Sequence, residues 1–334
     1  MKHALPTLAI AAAALAFPTS CARENANAER DTIRAFTREE GSGTREAFFE
    51  MLGMPAATFG RAAPPPAAKT TASDTVFDDA PHYPEPGAGE DENAAFAAFA
   101  AANAGNADRV LKHARVASGT GAMNNAVAAN PPAIGYVSLG ALRADARALP
   151  VNGVAPTPAT VTDGTYPLCR NFHIALPARA DALALDFVAY ALSAPGQKAI
   201  AGMGYVPSVD NPAAYEAGAV AGKLRIEGST SVAPVMQVLA DAYTALHGTK
   251  NVSVEIRPTS SGAGIAAAVE GAVDLAMSSR PVHENERAAL RDTVVIAHDG
   301  IAVIVHPDNR LPEIRTETIR RIYMGEIARW EDVR

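Results

Sequence analysis

In the C-terminal half of this chain, strand-like runs end again and again in clusters of Ser, Thr and Gly. The clusters are Gly228-Ser-Thr-Ser231, Thr259-Ser-Ser-Gly-Ala-Gly264 and Met277-Ser-Ser-Arg280. The runs 224–227, 252–257, 273–277, 294–296 and 301–305 read as strands, and helical patterns follow at 228–243 and 259–270. Strands alternating with helices predict a mostly parallel sheet covered by helices. Such sheets bind ligands at the carboxyl ends of their strands, where the next helix begins. The clusters fall there. Hydroxyls beside unpaired N–H groups at a helix start, where the dipole favours negative charge, make an anion site.

A fourth cluster, Arg38-Glu-Glu-Gly-Ser-Gly-Thr-Arg45, opens the N-terminal half. It precedes a helix on which Phe48, Phe49 and Leu52 share one face. Ser42 and Thr44 are ordinary capping types, while Arg38 adds a guanidinium fork that can reach two oxygens of a tetrahedral oxyanion. After it, 55–106 is irregular, with Pro64-Pro65-Pro66 and acidic residues at Glu90, Asp91 and Glu92. It reads as a surface insertion carrying one Ala-rich helix at 93–102. Order returns with Ala117-Ser-Gly-Thr-Gly121 ahead of a helix, strands at 133–138 and 166–176, and helices at 182–192 and 196–201. The stretch 210–223 is rich in Ala, Gly and Pro without periodicity and reads as a linker.

A length of 334 residues suggests two domains. Hydrophobic residues make up 48% of the chain, enough for a packed body. The net charge of −7 and the lack of any Lys/Arg-dominated stretch argue against a nucleic-acid partner. Residues 1–28 read as an export signal: Lys2, an apolar run over 5–17, then polar sequence. The run is too short to span a membrane. Ala26-Asn-Ala28 fits ordinary cleavage, and Cys21 offers the alternative of a lipidated first residue after a poor lipobox, Pro18-Thr-Ser20. Either way the chain is expected outside the cytoplasm. Cys169 is the only other cysteine, so no disulfide framework is expected.

Gly262-Ala-Gly264-Ile-Ala-Ala267 imitates a dinucleotide fingerprint, but the acidic partner is not where that motif needs it. Gly218 to Lys223 imitates a P-loop one residue short, with Leu224 in the hydroxyl position. No Gly-x-Ser-x-Gly elbow appears and the histidines are scattered, so neither an activated nucleophile nor a metal site is indicated. His283, His298 and His306 read as surface or strand-end residues.

Together these residues resemble the phosphate-binding proteins of bacterial phosphate ABC transporters, the two-lobed periplasmic-binding-protein type. Five further stretches carry the likeness: Val273-Asp-Leu-Ala-Met-Ser-Ser-Arg-Pro281, Ala297-His-Asp-Gly-Ile-Ala-Val-Ile-Val305, Ile322-Tyr-Met-Gly-Glu-Ile-Ala-Arg-Trp330, Ile134-Gly-Tyr-Val-Ser138 and Gly204-Tyr-Val-Pro207. The resemblance implies an α/β, type II, Venus-flytrap fold. The order of the motifs departs from it. In that family the Gly-Ser-Thr-Ser segment comes first, and the Trp330-type segment leads into the Arg38 to Arg45 segment. This chain therefore looks circularly permuted, with 210–223 joining the ancestral ends. The family pattern implies one lobe over 173–306 and another from 31–168 plus 311–334.

The resemblance implies inorganic phosphate as ligand, a membrane permease as partner, a monomer, and no cofactor or catalysis. It implies Arg38, Ser42, Gly43 and Thr44 as ligands from one lobe, and Thr230, Ser231 and Ser261 from the other. Some members of the family carry an Asp in the third cluster, where this chain has Ser279. Asp299, at a strand end beside Gly300, is the expected substitute to accept the proton of monohydrogen phosphate. A phosphate-ester hydrolase, or an anion sensor or adhesin on the same fold, stays open on the residues alone.

Overall fold

The computed structural model describes residues 31–54, 114–248 and 251–333. The export segment with Cys21, and the insertion 55–106 with its expected helix, lie outside the described residues.

Among the described residues the elements run β1 (Arg34–Arg38), α1 (Gly43–Met51), β2 (Arg115–Ala117), α2 (Thr120–Ala128) and β3 (Ala133–Ser138). Then come β4 (Arg147–Leu149), α3 (Pro158–Thr162), β5 (Cys169–Pro177), α4 (Ala182–Leu192), α5 (Ala194–Gly202) and β6 (Val206–Pro207). The second half runs β7 (Gly222–Ser229), α6 (Ala233–His247), β8 (Val252–Thr259), α7 (Ser261–Val269), β9 (Leu275–Ser278) and α8 (Glu284–Arg287). It ends with β10 (Leu290–Val305) and α9 (Thr316–Tyr323).

These strands form a ten-stranded sheet in the order β2-β1-β3-β10-β5-β9-β7-β8, with β4 and β6 attached to β10. The expected, mostly parallel sheet is corrected to a mixed one. β1 pairs parallel with β2 and β3, and β7 with β8 and β9. β10 is antiparallel to β3, β4, β5 and β6, and β5 is antiparallel to β9. The runs 294–296 and 301–305 are one 16-residue strand, which passes through Gly300 without a break. β7 begins at Gly222, so the last two residues of the expected linker pair with β8.

The apolar side chains sort into two main cores. One gathers Phe36, Phe48, Phe49, Tyr136, Leu149, Ile301 to Val305, Ile319, Ile322 and Tyr323; its residues make up the terminal lobe. The other gathers Phe172, Phe187, Tyr190, Leu224, Met236, Tyr243, Met277 and Ile296, the central lobe, with a small cluster around Ile265 on the opposite sheet face. Ile301 to Val305, which the family pattern would count with 173–306, pack in the terminal core. Two strands cross between the cores: β5 at Cys169 to Phe172 and β10 at Ala297 to Ile301.

Helix α1 shows why the terminal lobe holds its shape. Phe48 stacks on Tyr136 at 3.9 Å, and Tyr323 meets Phe48 and Phe49 edge-on at 5.6 and 5.4 Å. Such pairs add about 0.5–1.5 kcal/mol each beyond burial. The hydroxyls at their tips are used as well. Tyr323 donates to the Phe36 carbonyl at 2.8 Å, and the Arg38 N–H donates to the Tyr136 oxygen at 3.1 Å. The aromatic cluster thereby fixes the carboxyl end of β1, from which Arg38 projects.

The irregular segment between β6 and β7 is tied down by one carboxylate. Asp186 accepts from Tyr215 and Tyr243 at 2.5 Å each and from the Gly218 N–H at 3.2 Å. Cys169 is a free thiol that donates to the Tyr166 carbonyl, and burial pushes it up to about 11.

Candidate functional site

The carboxyl ends of β1, β2 and β3 face those of β7, β8 and β9 across the space between the lobes. From the terminal lobe, Ser42 caps α1, accepting from the Arg45 N–H at 3.3 Å, and Gly43 and Thr44 form the first turn of that helix. Thr44 Oγ1 lies 2.9 Å from Ser231 Oγ and 3.5 Å from Ser279 Oγ, both in the central lobe. Gly43 packs so closely on the opposite lobe that a Cβ there would sit 2.3 Å from Ser261 Oγ. A backbone bond also crosses, from the Gly262 N–H to the Gly41 carbonyl at 3.1 Å.

Arg38 is buried and spans the same gap, its Nη2 donating to Thr230 Oγ1 at 2.9 Å. The fork expected to face an oxyanion lies on Glu39, with Nε and Nη2 at 2.8 and 2.6 Å from the two carboxylate oxygens. Glu39 also accepts from the Gly119 N–H ahead of α2 at 2.9 Å. Burial works to raise the Glu39 carboxyl, but the Arg38 hydrogen bond and charge and the Gly119 N–H hold it below the usual carboxylate range.

In the central lobe the hydroxyls join one another. Ser279 Oγ lies 2.9 Å from Ser229 Oγ and 3.3 Å from Ser261 Oγ, and its N–H donates to Ser261 Oγ at 3.1 Å. Thr120, at the start of α2, lies 3.3 Å from Thr230 and 3.1 Å from Ser231. Each hydroxyl is both donor and acceptor, so this is a contiguous polar patch at the starts of α1, α2 and α7.

Asp299 is placed differently from the expectation. Its Oδ1 accepts from the Ser138 hydroxyl at 2.9 Å and the Leu139 N–H at 3.1 Å. Its Oδ2 accepts from Arg170 Nε at 2.9 Å and lies 2.9 Å from Nη2. Arg170 Nη1 in turn donates to Thr44 Oγ1 at 2.7 Å and to the Ser279 carbonyl at 3.3 Å. Arg170 therefore stands between Asp299 and the hydroxyls. Burial pushes the Asp299 carboxyl up and Arg170 down, and each partner opposes the other's shift.

All nine expected residues are thus in one region. Arg38, Gly43, Thr44, Thr230, Ser231, Ser261 and Ser279 meet across the cleft, Ser42 holds the helix start, and Asp299 holds Arg170. Sequence reasoning missed Arg170, Thr120 and Ser229. Thr120 carried a signal, since 117–121 repeats the Ser-Gly-Thr pattern; Arg170 carried none. His283 is not merely a surface residue, since its Nε2 lies 2.5 Å from Glu46 of the other lobe.

Fold and site together define a two-lobed receptor with an anion-binding type of cleft. The chain belongs to the PBP superfamily: the family profile described as a PBP superfamily domain matches residues 24–195 and 213–334. It is 31% identical over 314 residues to the phosphate-binding protein PstS 2 of Streptococcus agalactiae, covering 94% of this chain and 92% of that one. It is 29% identical over 318 residues to PstS 2 of Streptococcus pneumoniae serotype 4, covering 94% and 93%. The crystal structure of a phosphate ABC transporter phosphate-binding protein from Streptococcus pneumoniae TIGR4 superposes with a TM-score of 0.61 at 29% identity, over 91% of this chain and all of that one. The relatives are receptors rather than enzymes, and nothing in these likenesses supports a hydrolase.

Proposed function

We propose that this chain captures inorganic phosphate between its lobes, outside the cytoplasm, and as a monomer delivers it to the membrane permease of an ABC transporter. The observation that carries this is the meeting of three helix starts, a patch of hydroxyls and two buried guanidinium groups, each paired to a carboxylate, in one interlobe cleft. The names of its relatives point to the same ligand. Arg38, Ser42, Gly43, Thr44, Thr230, Ser231, Ser261 and Ser279 are read as the binding residues, joined by Arg170 and Thr120. Asp299 serves by orienting Arg170. With its oxygens already engaged, the proton of monohydrogen phosphate falls to a hydroxyl oxygen, which both accepts and donates. Discrimination against sulfate, which has no proton to offer, is then weak. Among the described residues no helix is long and apolar enough to cross a membrane. The alternative to release by cleavage is attachment through a lipid at Cys21.

Titration calorimetry of the 29–334 chain, freed of anion, tests this. One-to-one phosphate binding, with sulfate competing at higher concentration, is the expected result. Binding of neither anion refutes the reading.

The permuted order belongs to the same proposal. Supporting it, Arg329 pairs with Asp31 at 2.9 Å and the Ile33 N–H donates to the Ala328 carbonyl at 2.8 Å, so the Trp330 and Thr32 segments are neighbours. The family profile also breaks between 195 and 213, beside the expected join. A chain reconnected from Arg334 to Thr32 and opened within 210–221 should fold and bind as this one does; failure to fold would count against permutation.

A further inference from the structure

A second set of contacts crosses the cleft beside the hydroxyls. Glu46 lies on α1 in the terminal lobe, whereas Arg280 and His283 follow β9 in the central lobe. Arg280 Nε is 2.8 Å from one Glu46 oxygen and His283 Nε2 is 2.5 Å from the other. The far side of Arg280 is held within its own lobe, with Nη1 and Nη2 at 2.8 and 2.7 Å from the Glu286 carboxylate of α8. Glu286 also accepts from the His283 N–H at 2.9 Å, so α8 presents Arg280 and His283 as one unit. The side chains of Arg280, Glu46 and His283 are only 5, 12 and 19% exposed, little screened by water. Burial works against the charge on Arg280, but Glu286 and Glu46 outweigh it and raise its pKa. The other charged groups facing this knot are Glu50 of α1 and the rest of α8.

Contacts of this kind exist only while the lobes are together. They therefore favour the juxtaposed arrangement over a splayed one, by an amount independent of any ligand. A ligand that needs both lobes binds with an apparent affinity scaled by the fraction of molecules already juxtaposed. We propose that Glu46, Arg280 and His283 form an interlobe latch, centred on the Glu46 carboxylate, that sets the affinity of the cleft by holding the lobes together. This rests on reading the cleft as a receptor for phosphate. The three are positioning residues, acting on the ligand through the placement of Thr44, Ser231 and Ser279.

The test compares the full chain with Glu46→Gln, His283→Gln and the double variant. Glu46→Gln keeps the side-chain volume and leaves Arg280 its Glu286 partner, so it buries no orphaned cation. Two quantities are read: phosphate affinity by calorimetry, and radius of gyration by small-angle X-ray scattering without phosphate. Each single variant should bind phosphate about tenfold more weakly, within the usual range of coupling between sites, and should scatter as a larger particle. The double variant should be little weaker than Glu46→Gln alone, since loss of the Glu46 charge already undoes the contact that His283 makes. An unchanged radius in both single variants, or additive losses in the double variant, would overturn the latch. Should the wild type bind no phosphate, the receptor reading fails by itself, and the radius still decides whether the latch exists. Should Glu46→Gln not fold, His283→Gln decides alone, approaching the bridge from the other lobe.

Discussion

Gly43 sits where one methyl group acts as a wedge. Its ideal Cβ would lie 2.3 Å from Ser261 Oγ, 2.9 Å from Ser261 Cβ and 2.9 Å from Ser279 Oγ, all in the opposite lobe. Rotating the Ser261 hydroxyl away leaves its Cβ in place, so Gly43→Ala is accommodated only by parting the lobes by about 1 Å, to reach ordinary carbon contact distance. Bonds now at 2.9 Å across the cleft, Arg38 to Thr230 and Thr44 to Ser231, would stretch past the limit of a hydrogen bond. A ligand gripped from both sides would lose at least two donors. At roughly 1.5 kcal/mol or more for each bond to a charged group, the loss is about 3 kcal/mol, or more than a hundredfold in affinity. Stability should move the other way. Gly43 has no left-handed φ and opens a helix, where Ala is favoured over Gly by up to about 1 kcal/mol. Calorimetric titration with phosphate and scanning calorimetry of the same sample read the two effects separately. Phosphate affinity within threefold of wild type, or weakened binding accompanied by a lower Tm, would refute the wedge.

Asp299→Asn leaves Arg170 buried without its counter-ion, which should cost about 3–5 kcal/mol in urea unfolding; phosphate should restore part of that, and a loss under 1 kcal/mol would contradict the role given to Asp299. His173 is buried on β5, and burial, with Arg287 nearby, lowers its pKa from 6.5 to about 4. The unfolded chain then takes up more protons between those values, so stability present above pH 6.5 falls as the pH drops towards 4, by up to about 3 kcal/mol. Urea midpoints of His173→Gln should be less pH-dependent than wild type over that window; equal slopes would show that His173 does not titrate this way. A chain ending at Val305 loses Ile314, Ile319, Ile322, Tyr323, Met324 and Ile327 from the terminal core. At about 1.5–3 kcal/mol for each buried side chain, this matches the whole stability of an ordinary domain. Hydrogen exchange should then show an unprotected terminal lobe beside a protected central one, and equal protection of both would refute this division of the chain.

What could be read from the sequence was local. Ser/Thr/Gly clusters at strand ends identify helix starts because each signal lies within five or six residues, and Thr120 belonged to the same pattern. Arg170 could not be found that way. Within an apolar strand it looks like any edge arginine, and its partner Asp299 is 129 residues away. Strand direction was equally hidden. Gly300 interrupts the apolar pattern of β10, so one long strand reads as two short ones, and antiparallel pairing follows from that strand's passage through both lobes. His283 misled for a related reason: a histidine beside glutamates on a short helix looks solvated until another lobe supplies Glu46.

The placement of Arg170 and Asp299 ties the cleft to the pivot. They are register partners on β5 and β10, the two strands that cross between the cores. Rotation of one lobe against the other must pass through backbone on either side of this pair. The hydroxyl of Thr44 and the carbonyl of Ser279, one from each lobe, both meet Arg170 Nη1. A single guanidinium, held at the pivot by a buried carboxylate, is thus shared by the two walls of the cleft. A charge already placed at the junction of both walls limits the rearrangement needed to grip an anion there. The same pairing explains how a chain of net charge −7 can favour an anion. Arg38 is balanced by Glu39 and Arg170 by Asp299, so the site carries little net charge, and its attraction comes from N–H and O–H dipoles whose positions the fold has already fixed.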